Sequence, residues 1–453
     1  MASELATDGG GVSGGPSRSG GTGAGGTVAD GSGAADGSGG DGSTFGGDGG
    51  TAVDTGSGAA TSGEQAAPAP AGGNGGATDV GVTATQISIG NVATLSGPVP
   101  GLFRGALVGT QAFFAYQNSK GGLYGRQFKV ISGDDNFDAG KNRSAHKAIK
   151  DQVFAFSGSF SLFDGASASE IESSKVLDVG RALQIQRQNL ATHISPIPFG
   201  VGWPTTGCAF LRNRFGPDVI KKMAIFWGNA DAARTNAFWQ RQSCEAEGFE
   251  FIYEREVQAT ETNFTGDVIQ MRNEGVQGVF IVFDVTGIAR FFKSLRQQGF
   301  DPPLKFPSAA AYDSAFIKLA GDAAEGIIIG QSFAMYLGED AALVPEITLF
   351  KEWMAKVDPN QKIDVFSLFG WMSGRLLLHG MEKAGPKVTR ASVLAELQKI
   401  HEWNSFGLSD TVDVGAKKPG RCEMYMEVKG GQFRRLSPAQ GFDCNGTFRP
   451  YVG

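Results

Sequence analysis

Gln86-Ile-Ser-Ile-Gly-Asn-Val-Ala-Thr-Leu95, then the helical stretch Arg104 to Asn118, then Gln127–Ser132, decide how this chain folds. The first and third runs are short and rich in β-formers. The middle one reads as an amphipathic helix, stopped by Gly121-Gly122 in the manner of a glycine C-cap. Strand, helix and strand in that order make a βαβ unit, whose two strands lie parallel. The alternation continues with helix Ala139–Gln152, strand Val153–Ser157, a further helix and strand Val176–Val179, which completes one lobe. After Ser195-Pro-Ile-Pro-Phe-Gly-Val-Gly-Trp-Pro204 it starts again, with strands Lys222–Trp227, Phe249–Tyr253, Gly278–Phe283 and Glu325–Gly330. Helices such as Ala232–Glu247 and Thr286–Gln298 separate them. The expected fold class is therefore α/β: two Rossmann-like lobes with parallel central sheets, joined by a hinge, with a cleft between them.

Leu349–Lys356 and Phe366–Lys383 read as helices that complete the first lobe, and the tail from Gly420 reads as a hairpin returning to the second. The expected division is 86–197 with 333–412 for lobe I and 198–332 with 413–453 for lobe II. Ligands of open α/β sheets lie beyond the carboxyl ends of the strands, so the loops there are the ones to watch.

Residues 1–79 are mostly Gly, Ala, Ser, Thr and Asp. Such a segment buries too little apolar area to offset the entropy of ordering, and it reads as a disordered tether spanning roughly 45–55 Å. Met1-Ala-Ser-Glu-Leu5 has neither the basic nor the apolar region of a secretory leader. The preferred reading is an extracytoplasmic protein, periplasmic or at the cell surface, whose native export signal is missing and whose membrane association runs through a lost lipid anchor. A cytosolic protein is the other reading. No run of eighteen apolar residues is present to span a bilayer.

The net charge is −6, with acids and bases interspersed, so nucleic acid is not an expected partner. The four cysteines, Cys208, Cys244, Cys422 and Cys444, lack zinc-type spacing and allow three pairings. Cys208–Cys244 and Cys422–Cys444 are favoured because each joins neighbouring elements; reduced, buried thiols remain the alternative. His146, His193, His379 and His401 form no ligand or triad pattern. Ser144-Ala-His-Lys147 matches SxxK without that motif's companions. Asp134, Asp135 and Asp138 can hold a cation or cap a helix, and capping is the commoner use. No catalytic residue, metal or cofactor is expected, and the chain is not read as an enzyme.

Ser96-Gly-Pro98 after the first strand, Asn118-Ser-Lys-Gly-Gly122 after the first helix, Asp134-Asp135 after the second strand and Ala320-Gly-Asp-Ala-Ala-Glu-Gly326 before a late strand together resemble the type I periplasmic binding proteins, in particular the Leu/Ile/Val-binding family of ABC importers. The resemblance covers residues 86–436. It implies a receptor, expected to be monomeric, that grips a small organic molecule between its lobes and passes it to an ABC transporter permease. In that family a Ser/Thr-rich loop after the third strand serves the carboxylate and ammonium of an amino acid. Here the loop is Gly158-Ser-Phe-Ser-Leu-Phe-Asp-Gly165, with Leu162 and Phe163 where hydroxyls are expected beside Ser161. Ala309 stands where the family places an acid for the ammonium. A buried ammonium without a partner costs several kcal/mol, on the order of the effective ion penalty. A plain amino acid is thus disfavoured, unless Asp284 compensates, and an apolar or aromatic ligand bearing a carboxylate is expected instead. A solvated acid at a helix N-terminus is the equally weighted reading of Asp284.

The expected pocket walls are Phe103, Phe137, Phe160, Phe163, Trp203, Trp227, Phe283 and Tyr312, although most of the 33 phenylalanines must serve the core. Ser96, Leu102 and Asn229 join them from the strand-end loops. Arg104 and Arg181 are the cations placed for an anionic head, with ordinary surface arginines as the competing reading. A ligand-sensing receptor domain, or an enzyme on the same scaffold, are the competing functions.

Overall fold

A computed structural model describes residues 67–198, 202–258 and 260–450. In chain order its strands are β1 (Gln86–Ala93), β2 (Gln127–Asp134), β3 (Ala155–Ser157), β4 (Leu177–Val179), β5 (His193–Ile194), β6 (Gly202–Pro204), β7 (Met223–Gly228), β8 (Phe251–Val257), β9 (Gly278–Val282), β10 (Leu304–Pro307), β11 (Ile328–Gln331), β12 (Met424–Lys429), β13 (Gln432–Ser437) and β14 (Phe448–Pro450). One parallel sheet has the order β2-β1-β3-β4-β5, and a second parallel sheet has the order β10-β9-β7-β8. Parallel sheets need both faces covered, and the strands show it: β1 is buried at every position but its first, and β9 throughout. The two-lobed α/β class read from the alternation is the architecture of the chain.

The first sheet is covered by helix Arg104–Ser119, which lies against helix Val365–Ala384. These two helices meet backbone to backbone because glycines line the contact. A Cβ on Gly109 would fall 2.0 Å from the Ser367 carbonyl oxygen, and one on Gly370 would fall 2.3 Å from that of Ala106. A third helix, Pro345–Val357, is tied in by Glu346, which is 1 % exposed. Its carboxylate accepts from Arg375 Nε and Nη2 at 2.6 and 2.7 Å and from Trp371 Nε1 at 2.6 Å. The charge is fully paired, which is what lets it stay buried.

Two details differ from the sequence reading. The run Glu325–Gly330 was expected to extend the second parallel sheet. It shortens to β11, which pairs antiparallel with β12, itself paired antiparallel with β13. Gly430 and Gly431, both at positive φ, make the two-residue turn of that hairpin. An isolated apolar run carries no information on the direction of its partner, which here arrives a hundred residues later. The fourth strand of the second sheet is instead β10, whose four residues behind Pro302-Pro303 are too short to show a period. β14 closes on β6.

Residues 67–79, assigned to the tether by composition, lie against the first lobe; residues 1–66 are outside the described part of the chain. Arg126, wholly buried, donates to the carbonyls of Asn74, Gly76, Thr83 and Pro386, and Asp79 accepts from Arg390 N at 2.6 Å. Hydrogen bonds between side chains and backbone therefore hold a segment that has no large apolar side chain of its own, a signal that composition lacks.

Cys208 is bonded to Cys244 and Cys422 to Cys444, at sequence separations of 36 and 22. Loops of that size are worth roughly 3–4 kcal/mol each in the chain-entropy model. No helix among the described residues is long and apolar enough to cross a membrane.

Candidate ligand-binding cleft

The carboxyl ends of both parallel sheets open onto one cleft of about 500 Å³. From the first sheet come Val99–Phe103 after β1, Phe137 after β2, Phe160 and Leu162 after β3, and Arg181 and Leu183 after β4. From the second come Gly228 and Asn229 at the end of β7, Phe283 to Thr286 after β9, and Ser308 to Ala310 after β10. Asn360 to Phe369, where the chain enters helix Val365–Ala384, and Phe333 complete the wall.

Seven phenylalanines line the wall. Phe103 sits 4.8 Å from Phe160 and 4.7 Å from Phe366 between ring centroids, Phe160 is 5.0 Å from Phe366 and 5.8 Å from Phe369, and Phe333 is 5.7 Å from Phe369. Edge-to-face and offset contacts at these distances fix each ring by its neighbours, so the surface is preformed.

Arg181 is a cation facing this cleft. Its guanidinium lies 5.1 Å from the Phe369 ring centroid, and burial lowers its pKa to about 10, which leaves it charged at neutral pH. The acids facing the cleft are all at helix starts. Asp284 accepts from Thr286 N at 2.9 Å and Gly287 N at 3.1 Å, both through Oδ1, and so caps helix Val285–Gln297 while lining the cleft. Asp313 caps helix Ser314–Ala320. Asp364 caps Val365–Ala384 through a reciprocal pair with Ser367. Burial raises the pKa of Asp313, and raises that of Asp364 to about 7, with the Asp313 charge adding to the effect and the Ser367 hydrogen bonds opposing it.

A folded pKa above the unfolded value means that Asp364's contribution to stability is fully present below the ordinary carboxylate range and is lost as pH rises through about 7. Asn keeps the cap, so Asp364→Asn should be more stable than the parent at pH 8 by about 1–2 kcal/mol, after discounting for partial exposure. The difference should shrink as pH falls from 7 and vanish near pH 4. Urea titrations of both proteins across that range check it, and a gap independent of pH would contradict it.

Ten of the seventeen ligand-site residues expected from sequence meet at this cleft: Leu102, Phe103, Phe137, Phe160, Leu162, Arg181, Asn229, Phe283, Asp284 and Ala309. The other seven lie elsewhere, each for a definite reason. Ser96 donates to Asp134, and Arg104 turns outward to Asp358 at 2.9 Å. Ser161 is buried and donates to Asp135, which also receives Thr94 and Asn142. Phe163 packs edge-on against Phe137 at 5.2 Å. Trp227 reaches across to Glu256 on the neighbouring strand β8, with Nε1 donating at 3.1 Å. Tyr312 is wholly buried, its hydroxyl accepting from Leu337 N at 2.6 Å. Trp203, in β6, lines two smaller hollows of about 130 and 70 Å³ that share Arg181 with the cleft. Asp138 caps helix Ala139–Ile149, as the capping reading of that acid has it.

Phe333, Phe366, Phe369, Asp313 and Asp364 were not foreseen. The signal for three of them was present: Asp364-Val-Phe-Ser367 has the spacing of a capping box, which places the helix start, and Phe366 and Phe369 then share a face three residues apart.

Two α/β lobes with a preformed aromatic cleft at the facing strand ends define a solute-binding clamp. Residues 86–432 match the model of a family described as periplasmic binding protein, and the chain belongs to that family. Among solved structures, it is similar to a fatty acid ABC transporter substrate-binding protein from Thermomonospora curvata (TM-score 0.69, 19 % identity, 84 % of this chain and 97 % of that one). It is also similar to a branched chain amino acid ABC transporter from Thermus thermophilus with bound valine (TM-score 0.66, 16 % identity, 80 % and 97 %). A leucine binding protein from Thermotoga maritima is a third (TM-score 0.62, 17 % identity, 78 % and 98 %). At these identities the likeness is one of fold. Comparison with curated protein sequences gives no match.

Proposed function

We propose that this protein is an extracytoplasmic solute receptor that closes its lobes, 86–197 with 333–412 and 198–332 with 413–453, on a small apolar or aromatic carboxylate and delivers it to an ABC importer without chemical change. The observation that carries the reading is the cleft: six phenylalanines from the first lobe and Phe283 from the second around a volume of about 500 Å³, with Arg181 in its lining and its guanidinium over Phe369. Apolar surface supplies the driving force, and a guanidinium matches a carboxylate with two parallel hydrogen bonds. The acids at the cleft, Asp284, Asp313 and Asp364, each cap a helix, and Ala309 offers no charge. An α-ammonium beside the carboxylate would therefore lose its hydration without a dedicated partner. A lipid anchor is part of the proposal, as the means of keeping the receptor near its permease.

A thermal-shift screen of alkanoates, aryl carboxylates, their amides and the branched-chain amino acids tests it. Stabilisation should follow RT ln(1 + [L]/Kd) and rank carboxylates with bulky apolar groups first. Stabilisation by leucine or valine and by no aryl or alkyl carboxylate would overturn the ligand class.

A further inference from the structure

Phe283 stands between β9 and the capping Asp284, on the second lobe's side of the cleft. Its ring is flanked on both edges by residues that have no Cβ. A Cβ on Gly287, in the first turn of helix Val285–Gln297, would fall 1.8 Å from Cδ1 and 2.0 Å from Cε1 of the ring. A Cβ on Gly228, the last residue of β7, would fall 2.7 Å from both Cδ2 and Cε2.

Neither glycine has a positive φ, so the backbone does not require them. At position 287 the helix would be steadier with alanine, by roughly 0.5–1 kcal/mol. Their absent side chains are used for space.

We infer that Gly228 and Gly287 form a slot that parks the Phe283 ring against the second lobe, and that this sets the girth of the apolar group the cleft admits. The inference rests on the reading of the cleft as the ligand site. With β7 on one edge and the helix turn on the other, a ring expelled from the slot has the cleft as its open direction. There it would face Phe103, Phe160, Phe366 and Phe369 across the space that an aryl or branched group needs. A slim alkyl chain asks for less of that space. The class of ligand selected by the parked ring is thus a carboxylate carrying a thick apolar group.

The test is a crystal structure of Gly287→Ala with calorimetric titrations of 4-phenylbutyrate and hexanoate against the parent, G287A, and G287A combined with F283A. The ring should turn into the cleft. Affinity for 4-phenylbutyrate should fall about tenfold or more, and that for hexanoate by less than threefold. Removing the displaced ring in the double variant should restore 4-phenylbutyrate binding. Gly228→Ala closes the slot from its other edge and should act in the same direction, which keeps the test open if G287A melts early. A ring that stays in place with unchanged binding, or a double variant as weak as G287A, overturns the slot. A parent that binds neither probe while the ring still swings inward in G287A removes the carboxylate reading and leaves the slot standing.

Discussion

Replacing Arg181 with Gln should weaken capture of an aryl or alkyl carboxylate by about two to three orders of magnitude while leaving the fold intact. Truncating one partner of a desolvated charge pair costs about 2–5 kcal/mol, much of it from the opposite charge left without a counterpart. With a carboxylate bound as proposed, Arg181 would meet that condition. Its guanidinium lies over Phe369, and its burial is deep enough to lower its pKa to about 10. In water the same carboxylate would interact with an exposed arginine for a small fraction of that energy. Calorimetric titration of the ligand found in the screen reads the effect. The matching amide supplies the control: it should lose much less on the same substitution. Equal losses for acid and amide would mean that Arg181 shapes the cleft and does not recognise charge.

Gly370→Val should be strongly damaging to the first lobe, at about 3 kcal/mol or more. A Cβ at 370 would stand 2.3 Å from the Ala106 carbonyl oxygen and 2.7 Å from Thr110 N, both backbone atoms of a buried helix. Backbone cannot rotate aside as a side chain does, so helices Arg104–Ser119 and Val365–Ala384 must separate. Overpacking ordinarily costs about 1–3 kcal/mol, and a rigid neighbour on one side with Gly158 on the other puts this site at or above the upper end. The same separation would carry Phe366 and Phe369 away from Phe103 and Phe160 and so open the aromatic wall. Guanidinium denaturation should show the loss as a lower midpoint, and ligand affinity should fall with it. A variant of parental stability would mean that the helix pair is more yielding than its contact geometry implies.

The two kinds of residue in the cleft were unequally visible in the sequence. Phe103, Phe160, Arg181 and Phe283 each follow a strand that the β-rich runs had already located, and the rule that strand ends face the ligand brought them to the cleft. Ser96 and Tyr312 come from the same kind of loop, Trp227 from the end of β7, and all three still missed. Neighbouring groups claimed them: the Asp134 and Glu256 carboxylates and the Leu337 backbone amide. A loop's position follows from the strand before it, whereas the direction of one side chain depends on partners far away in the chain.

What the sequence determined by itself was the α/β alternation, the doubling of the lobe, and the loops that border the cleft. All three follow from local periodicity and turn chemistry, which act over a few residues. The tertiary structure alone decided that β11 would pair with a hairpin a hundred residues later, that residues 67–79 would be held by Arg126 and Arg390, and that Gly228 and Gly287 would leave room for one ring. Each of these is a contact between segments brought together by folding, and its energy depends on distances of a few ångströms that no local pattern encodes.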